Sequence, residues 1–361
     1  MKVAFPYMGN LQIGIQSCLK KLGVSYLEQK PITKQTLELG VKYSPEFSCF
    51  PFKVNIGGFI EALEEGADTL LFAGGFGPCR FGYYGQTQAE ILQRLGYKFD
   101  YLIIEMVQKN QKDFFRKLSS LSGQKNLLQV FQAVYLGYYK IKILDEAQKL
   151  AYYYRPREAN HGVTDTVIEY IKAQVHEANN IFTLKQLWQE LSAFFSSINI
   201  DSRRTIIPVA LIGEIYTLLE PKINLNLEKK LGKMGLEIHK SIFLSDWIKY
   251  HIFLDAVGYD YKRHFAKESA RYLNREIGGH TRENLGKAVQ FIKQKGCQGI
   301  IHLAPLTCMP EIVTKELLQK ISADYSVPYI SLFIDEQTGE AGVNTRLEAF
   351  SDLLKFTTSI S

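Results

Sequence analysis

No apolar stretch of the 361-residue chain reaches the roughly 18 residues that a membrane-spanning helix needs. The opening run, Met1-Lys2-Val3-Ala4-Phe5-Pro6, is interrupted too soon for a secretory leader and reads as a first strand. Long basic runs are missing as well: the formal net charge is +6, and the basic residues come as short pairs such as Lys20-Lys21 and Lys229-Lys230. Neither a membrane nor a nucleic acid is an expected partner. There is no Cys-x-x-Cys, and the five cysteines are an odd number without a secretory context. A disulfide framework is thereby excluded, and a reducing cytoplasm with reduced or metal-bound thiols is expected. No Gly-x-x-x-x-Gly-Lys-[Ser/Thr] loop occurs, so ATP hydrolysis is not expected. Gly75-x-Gly77 lacks the third glycine of a dinucleotide fingerprint, because Arg80 stands there.

What is present is the composition of a globular protein, 46% hydrophobic and 22% charged, in a chain long enough for two or three domains. Short apolar runs alternate with helical patterns. Lys2 to Phe5 reads as a strand, and Leu11, Ile15, Cys18, Leu19 and Leu22 share one face of a helix ended by Gly23. Val24 to Leu27 reads as a second strand, Thr69 to Ala73 as a third and Tyr101 to Glu105 as a fourth, with helices between them. That alternation predicts a parallel α/β unit. From Lys109 onward helical patterns dominate, and the aromatic stripe of Tyr135, Tyr138 and Tyr139 reads as core packing. Ile206 to Glu214 begins a second strand–helix series, with Gly299 to Leu303 and Val327 to Ile334 as its strongest strands; the stretch from Asp246 to Tyr272 looks helical and irregular. The predicted fold class is α/β, with Rossmann-like parallel-sheet domains at 1–108 and 201–361 and a helical region at 109–200 between them.

Three cysteines occupy comparable places. Cys79 lies in the glycine-rich stretch Gly74 to Gly82, between a strand and a helix. Cys49 and Cys308 each open a Cys-x-Pro, with proline where a first helical residue is expected. Ligands of open parallel sheets bind at the carboxyl ends of the strands, so Cys79 and Cys308 are expected on the functional edges of their own sheets. Unpaired N–H groups at a helix start favour thiolate over thiol. Three thiolates suit an iron–sulfur cube with one iron left open. Zinc with His280 or His302 as a fourth ligand is the competing site, although His302 lies within a strand and also reads as a core residue, and three unrelated buried thiols remain the plain alternative. Cys18, within a helix, and Cys297, in the turn before a strand, read as structural.

As a set, Cys49-Phe50-Pro51-Phe52-Lys53, Gly77-Pro78-Cys79-Arg80-Phe81-Gly82 and Cys308-Met309-Pro310-Glu311 resemble the acyl-CoA dehydratase activase-related (CoA-protein activase) family. That family is similar to component D of 2-hydroxyacyl-CoA dehydratases and to benzoyl-CoA reductase subunits. Gly213-Glu214, Gly278-Gly279-His280, Asp335 to Glu340 and Thr345 to Glu348 extend the resemblance over nearly the whole chain. It implies two Rossmann-like domains with a [4Fe–4S] cluster held in their cleft by Cys49, Cys79 and Cys308. It also implies a dehydratase- or reductase-like iron–sulfur protein of anaerobic metabolism. Such a protein accepts low-potential electrons from an ATP-dependent activator protein, or works with a homologous subunit, and serves an acyl-CoA or other small-molecule substrate. A non-catalytic electron-transfer or cluster-carrying accessory protein is the rival class, and a zinc-stabilised binding protein a third. Arg80 is a candidate for offsetting cluster charge, and Glu311 and His280 are candidates for proton transfer. Asp335, Glu336 and Glu340 are candidates for hydrogen bonds near the cluster or for capping their own loop. The helical middle is a candidate dimer contact or acyl-CoA pocket.

Overall fold

A computed structural model describes residues 1–74, 79–105 and 111–360. Two compact units make up the chain: Met1–Ile141 with Ser245–Tyr261, and Lys142–Leu244 with Lys262–Ser361. Residue 108, the expected end of the first domain, lies outside the described residues. Each unit is α/β and is built on a parallel sheet, as expected. No helix among the described residues is long and apolar enough to cross a membrane.

The first sheet contains β1 (Val3–Ala4), β2 (Thr69–Gly74) and β3 (Asp100–Glu105), hydrogen-bonded in that order. Leu70, Leu71 and Phe72 are all buried, as a parallel strand covered on both faces requires. The expected strand Val24 to Leu27 is reduced to a single parallel bridge between Tyr26 and Val3. The reason is the partner: β1 is only two residues long, and Val3 alone donates to Ser25 and accepts from Leu27. With Tyr26 counted, the segments lie in the chain order 2-1-3-4.

Helix Phe50–Glu64 lays Phe52, Ile56, Phe59 and Ile60 into the core of this sheet. Helix Lys34–Tyr43 starts at a capping box between Thr33 and Thr36 and crosses it backbone to backbone. A Cβ built on Gly57 would run into the Thr36 carbonyl oxygen, so only glycine permits the approach. The aromatic stripe of helix Leu127–Tyr154 packs as expected, with Phe131, Tyr135 and Tyr138 meeting the Phe253 ring at 5.1–6.3 Å between centroids. Phe253 stands on a π-helical turn, Lys249–Leu254, in the stretch whose sequence looked irregular.

The second sheet is β4 (Ile207–Gly213), β5 (Leu236–Lys240), β6 (Gly299–Pro305) and β7 (Tyr329–Ile334), all parallel, in the spatial order β5-β4-β6-β7. In chain order this is again 2-1-3-4. Helices Thr281–Lys295 and Met309–Tyr325 bring Leu285, Val289, Leu318 and Ile321 onto Ile212 and Ile300.

Gly57→Ala should lower the stability of the chain by about 1–3 kcal/mol through forced separation of the two crossing helices. Gly58→Ala, whose new methyl would meet nothing closer than a Thr36 side-chain carbon at 4.0 Å, should be near neutral. Urea unfolding of the two variants checks the contrast, and equal losses would refute the packing account.

Candidate functional site

In a 2-1-3-4 sheet the connections leave the first and third strands in opposite directions, so the crevice lies at their carboxyl ends. In the first unit those strands are β1 and β2. Cys79 follows β2 and caps the turn Arg80–Tyr83, which runs into helix Tyr84–Arg94. Cys49 caps helix Phe50–Glu64, with Pro51 at the second helical position rather than the first. The structure ties these two segments together. Tyr84 Oη lies 2.6 Å from Cys49 Sγ, and Arg80 Nη1 donates to the Phe47 carbonyl at 2.7 Å. Burial, and next the Cys49 thiol, push the Tyr84 phenol well above its ordinary range. Its hydroxyl therefore stays neutral and can donate to the sulfur. Arg80, expected to offset charge, spends at least one N–H on holding the Cys49 loop. Gly75 to Pro78 of the expected glycine-rich loop lie outside the described residues.

The corresponding edge of the second unit lies at the ends of β4 and β6. Cys308 is buried and caps helix Met309–Tyr325, with Pro310 again second. Thr307, just before it, has φ of 66°. A β-branched residue in the left-handed region costs about 1–3 kcal/mol, and such strain gathers at functional positions.

Behind Cys308 lies a closed polar network. Glu311, in the first turn of the helix, is 1% exposed and His302 on β6 is 0% exposed. His302 Nε2 is 2.9 Å from Glu311 Oε2, and its Nδ1 is 2.8 Å from Ser331 Oγ on β7. Asn284 Nδ2 donates to Glu311 Oε1 at 3.2 Å and to the Gly213 carbonyl at 3.0 Å, while its Oδ1 accepts from Ser241 at 3.0 Å. Next to Gly213, Glu214 caps the short helix Ile215–Leu219, accepting the Tyr216 and Thr217 N–H groups at 3.0 and 2.9 Å. Burial raises the Glu214 carboxyl to about 7; the two N–H groups pull it down, and the Glu311 carboxylate adds to the rise.

The expected site residues thus fall into different settings. Glu311 is sealed into the network instead of facing a ligand. His280 is half-buried at the cap of helix Thr281–Lys295, whose Thr281 hydroxyl donates to the Pro310 carbonyl at 3.1 Å. His302 has both ring nitrogens in hydrogen bonds, so neither is on offer to zinc. Asp335 caps its own loop through Thr338 Oγ1 at 2.7 Å and the Gln337 N–H at 3.0 Å, and Glu340 pairs with Lys230 at 2.6 Å. Burial pushes the Cys18 and Cys297 thiols up to about 12, which keeps them protonated. None of the five cysteines forms a disulfide. Among the described residues no group of three or more His, Cys, Asp or Glu side chains is placed to hold a metal ion. The donor chemistry nevertheless suits a thiolate-bound group in part: the Cys49 and Cys79 segments adjoin within one unit, and Cys49 has a neutral donor at its sulfur.

Glu214, Asn284 and Ser331 escaped the sequence as site residues. Glu214 alone left a usable signal, an acidic residue after a strand-ending glycine and before a short helix.

A carboxyl raised in the folded state binds its proton more tightly there than in the unfolded chain. Its contribution to stability is fully present below the ordinary carboxylate range and is lost as pH rises through about 7. Glu214→Gln removes that dependence. The variant should therefore gain on the wild type as pH rises from acidic to mildly alkaline, by about 1–2 kcal/mol after allowance for solvent screening. Urea unfolding across that range tests this, and a pH-independent difference would refute it.

Comparison with known proteins gives one family. Residues 7–242, more than half of the chain, match the CoA enzyme activase uncharacterised domain. The matched stretch contains Cys49, Cys79 and Glu214 and ends before Cys308. No curated protein matches the chain. A strand–helix framework of this kind, matched over that length, makes the chain a member of the CoA enzyme activase-related family.

Proposed function

We propose that this family member is a redox protein in which Cys49, Cys79 and Cys308 hold a [4Fe–4S] cluster, resembling component D of 2-hydroxyacyl-CoA dehydratases. Its electrons would come at low potential from an ATP-dependent activator protein, with an acyl-CoA or a partner subunit as the acceptor. The observation that carries the reading is positional. Cys79 and Cys308 each follow the third strand of a 2-1-3-4 sheet and cap a helical segment, and Cys49 is tied to the Cys79 turn through Tyr84 and Arg80.

A bound cluster would supply a one-electron acceptor with one iron not held by cysteine. The chain's own residues supply the setting. The first-turn N–H groups behind Cys49 and Cys308 favour the thiolate form. Tyr84 can donate to the Cys49 sulfur, and Arg80 places a positive charge beside the Cys79 turn. A non-catalytic electron carrier is the second reading. It is favoured by the sealing of Glu311, an expected proton-transfer residue, into bonds with His302 and Asn284.

Chain purified without oxygen should carry about four irons and four acid-labile sulfides, with a brown absorbance that Cys79→Ala abolishes. Stoichiometric zinc, or neither metal nor colour after reconstitution, would overturn the reading.

A further inference from the structure

The first unit carries a surface for which the thiol edges have no use. Helix Gln111–Leu121 buries Phe114 and Leu118 and leaves Lys112 and Arg116, one turn apart, on its exposed side. Lys117 is turned to the sheet instead: its Nζ donates to the Ile103 carbonyl on β3 and pairs with Asp113, each at 3.0 Å. The chain then folds back, with Ser119 Oγ donating to the Lys125 carbonyl at 2.6 Å. Asn126 Oδ1 accepts the Gln129 N–H at 2.9 Å and so caps helix Leu127–Tyr154. The opening turns of that helix present Leu127, Leu128 and Phe131 at 54, 65 and 43% exposure. The Phe131 ring meets Phe115 at 6.1 Å between centroids, so the two helices share one apolar surface.

Charge gathers on the same segment. Gln111 to Phe131 holds Lys112, Arg116, Lys117 and Lys125 against Asp113 alone, a net of +3 in a chain whose formal net charge is +6. Lys117 answers Asp113, and among the described residues no carboxylate pairs with Lys112, Arg116 or Lys125. Single exposed apolar side chains need no explanation, but three within five residues, joined to a ring on the neighbouring helix and flanked by unpaired cations, form a patch. A second copy of the chain fits it poorly, because a two-fold contact would set these cations face to face. An anionic bilayer suits both features: the acyl boundary takes the apolar tips, headgroup phosphates take the cations, and the long Lys and Arg stems lie along the apolar surface. The sequence shows neither a spanning helix nor a long basic run, and this mode needs neither, because the fold collects cations that are separated along the chain.

We propose that the start of helix Leu127–Tyr154, together with the exposed side of helix Gln111–Leu121, is a docking surface for an anionic lipid bilayer. Leu127, Leu128 and Phe131 enter the boundary between headgroups and acyl chains, and Lys112, Arg116 and Lys125 lie against the headgroup phosphates. The attachment is peripheral and reversible, and salt weakens it. It carries no step of the proposed redox chemistry and stands or falls apart from it.

The test is cosedimentation of the full chain with vesicles of phosphatidylglycerol and phosphatidylcholine in equal parts, against vesicles of phosphatidylcholine alone. The wild type should partition roughly tenfold or more better to the anionic vesicles, and the preference should fade at high salt. Lys112→Gln, Arg116→Gln and Lys125→Gln together should remove the preference, at roughly fivefold per cation. Leu127→Ser with Leu128→Ser should weaken binding to the anionic vesicles roughly tenfold or more. Both leucines are exposed, and circular dichroism checks that the helices persist. Leu128→Trp provides a gain of signal: its emission should move to the blue on anionic vesicles and be quenched by brominated acyl chains. Equal partition to the two vesicle types, binding untouched by the leucine pair, or unshifted emission from Leu128→Trp would overturn the proposal. A dimer in sedimentation velocity that the leucine pair dissolves would also overturn it, by assigning the surface to a second copy. Binding to neither vesicle would do the same and leave the surface to an acidic protein.

Discussion

A parallel strand whose two neighbours are reached in opposite directions leaves its carboxyl end uncovered, and both sheets of this chain are built around such a strand. In the second unit the chain leaves β4 toward β5 and later returns past it to β6. The backbones of β4 and β6 are so close at that end that a Cβ on Gly213 would run into the Leu303 carbonyl. That approach lets the Glu214 N–H reach the same carbonyl, which turns the next residues into a capped helix. The position of Glu214 is thus a consequence of strand order and of one glycine. Cys308, three residues beyond β6, arrives at the same edge for the same reason.

The buried His302–Glu311 pair holds because each of its polar atoms finds a partner, since a polar group taken out of water without a hydrogen bond costs about 1–3 kcal/mol. Asn284 is central to that. Its amide donates to Glu311 and Gly213 and accepts from Ser241, so one side chain joins helix Thr281–Lys295 to β4, to the residue after β5 and to helix Met309–Tyr325. Ser331 extends the same chain of bonds to β7. The network contributes less by its energy than by its demand for one register, since a displaced partner would leave a buried polar group unpaired at a cost of about 1–3 kcal/mol.

Much of this was legible in the sequence because buried parallel strands advertise themselves. Thr69 to Ala73, Gly299 to Leu303 and Val327 to Ile334 are short apolar runs bounded by turn residues, and each became a strand, the last from Tyr329 onward. The Cys-x-Pro pairs marked two helix starts to within a residue. Strand order was not legible, because nothing local records which neighbour a parallel strand will choose. The Val24 strand shrank to a bridge for that reason: its fate depended on the length of β1. The polar network was hidden for a related one. Asn284 and Gly213 are 71 residues apart and Cys49 and Tyr84 are 35 apart, and no spacing rule links either pair. Asp246 to Tyr272 defied a single period because it mixes α, π and 3-10 turns.

The two units repeat a strand order but not a chemistry, and the difference bears on what each edge can do. The first edge sets a donor at one of its thiols, the neutral Tyr84 hydroxyl at the Cys49 sulfur, and ties the Cys49 loop down through the Arg80 guanidinium. Such a setting stabilises negative charge on sulfur. The second edge instead seals a carboxyl, Glu311, against the His302 imidazole and the Asn284 amide in the first turn of the helix that Cys308 begins. Cys18 and Cys297 show what burial without either setting produces, thiols pushed so high that they stay protonated. One strand order thus presents two different linings, and what each edge favours is set by the side chains that follow its strands and not by the sheet that carries them.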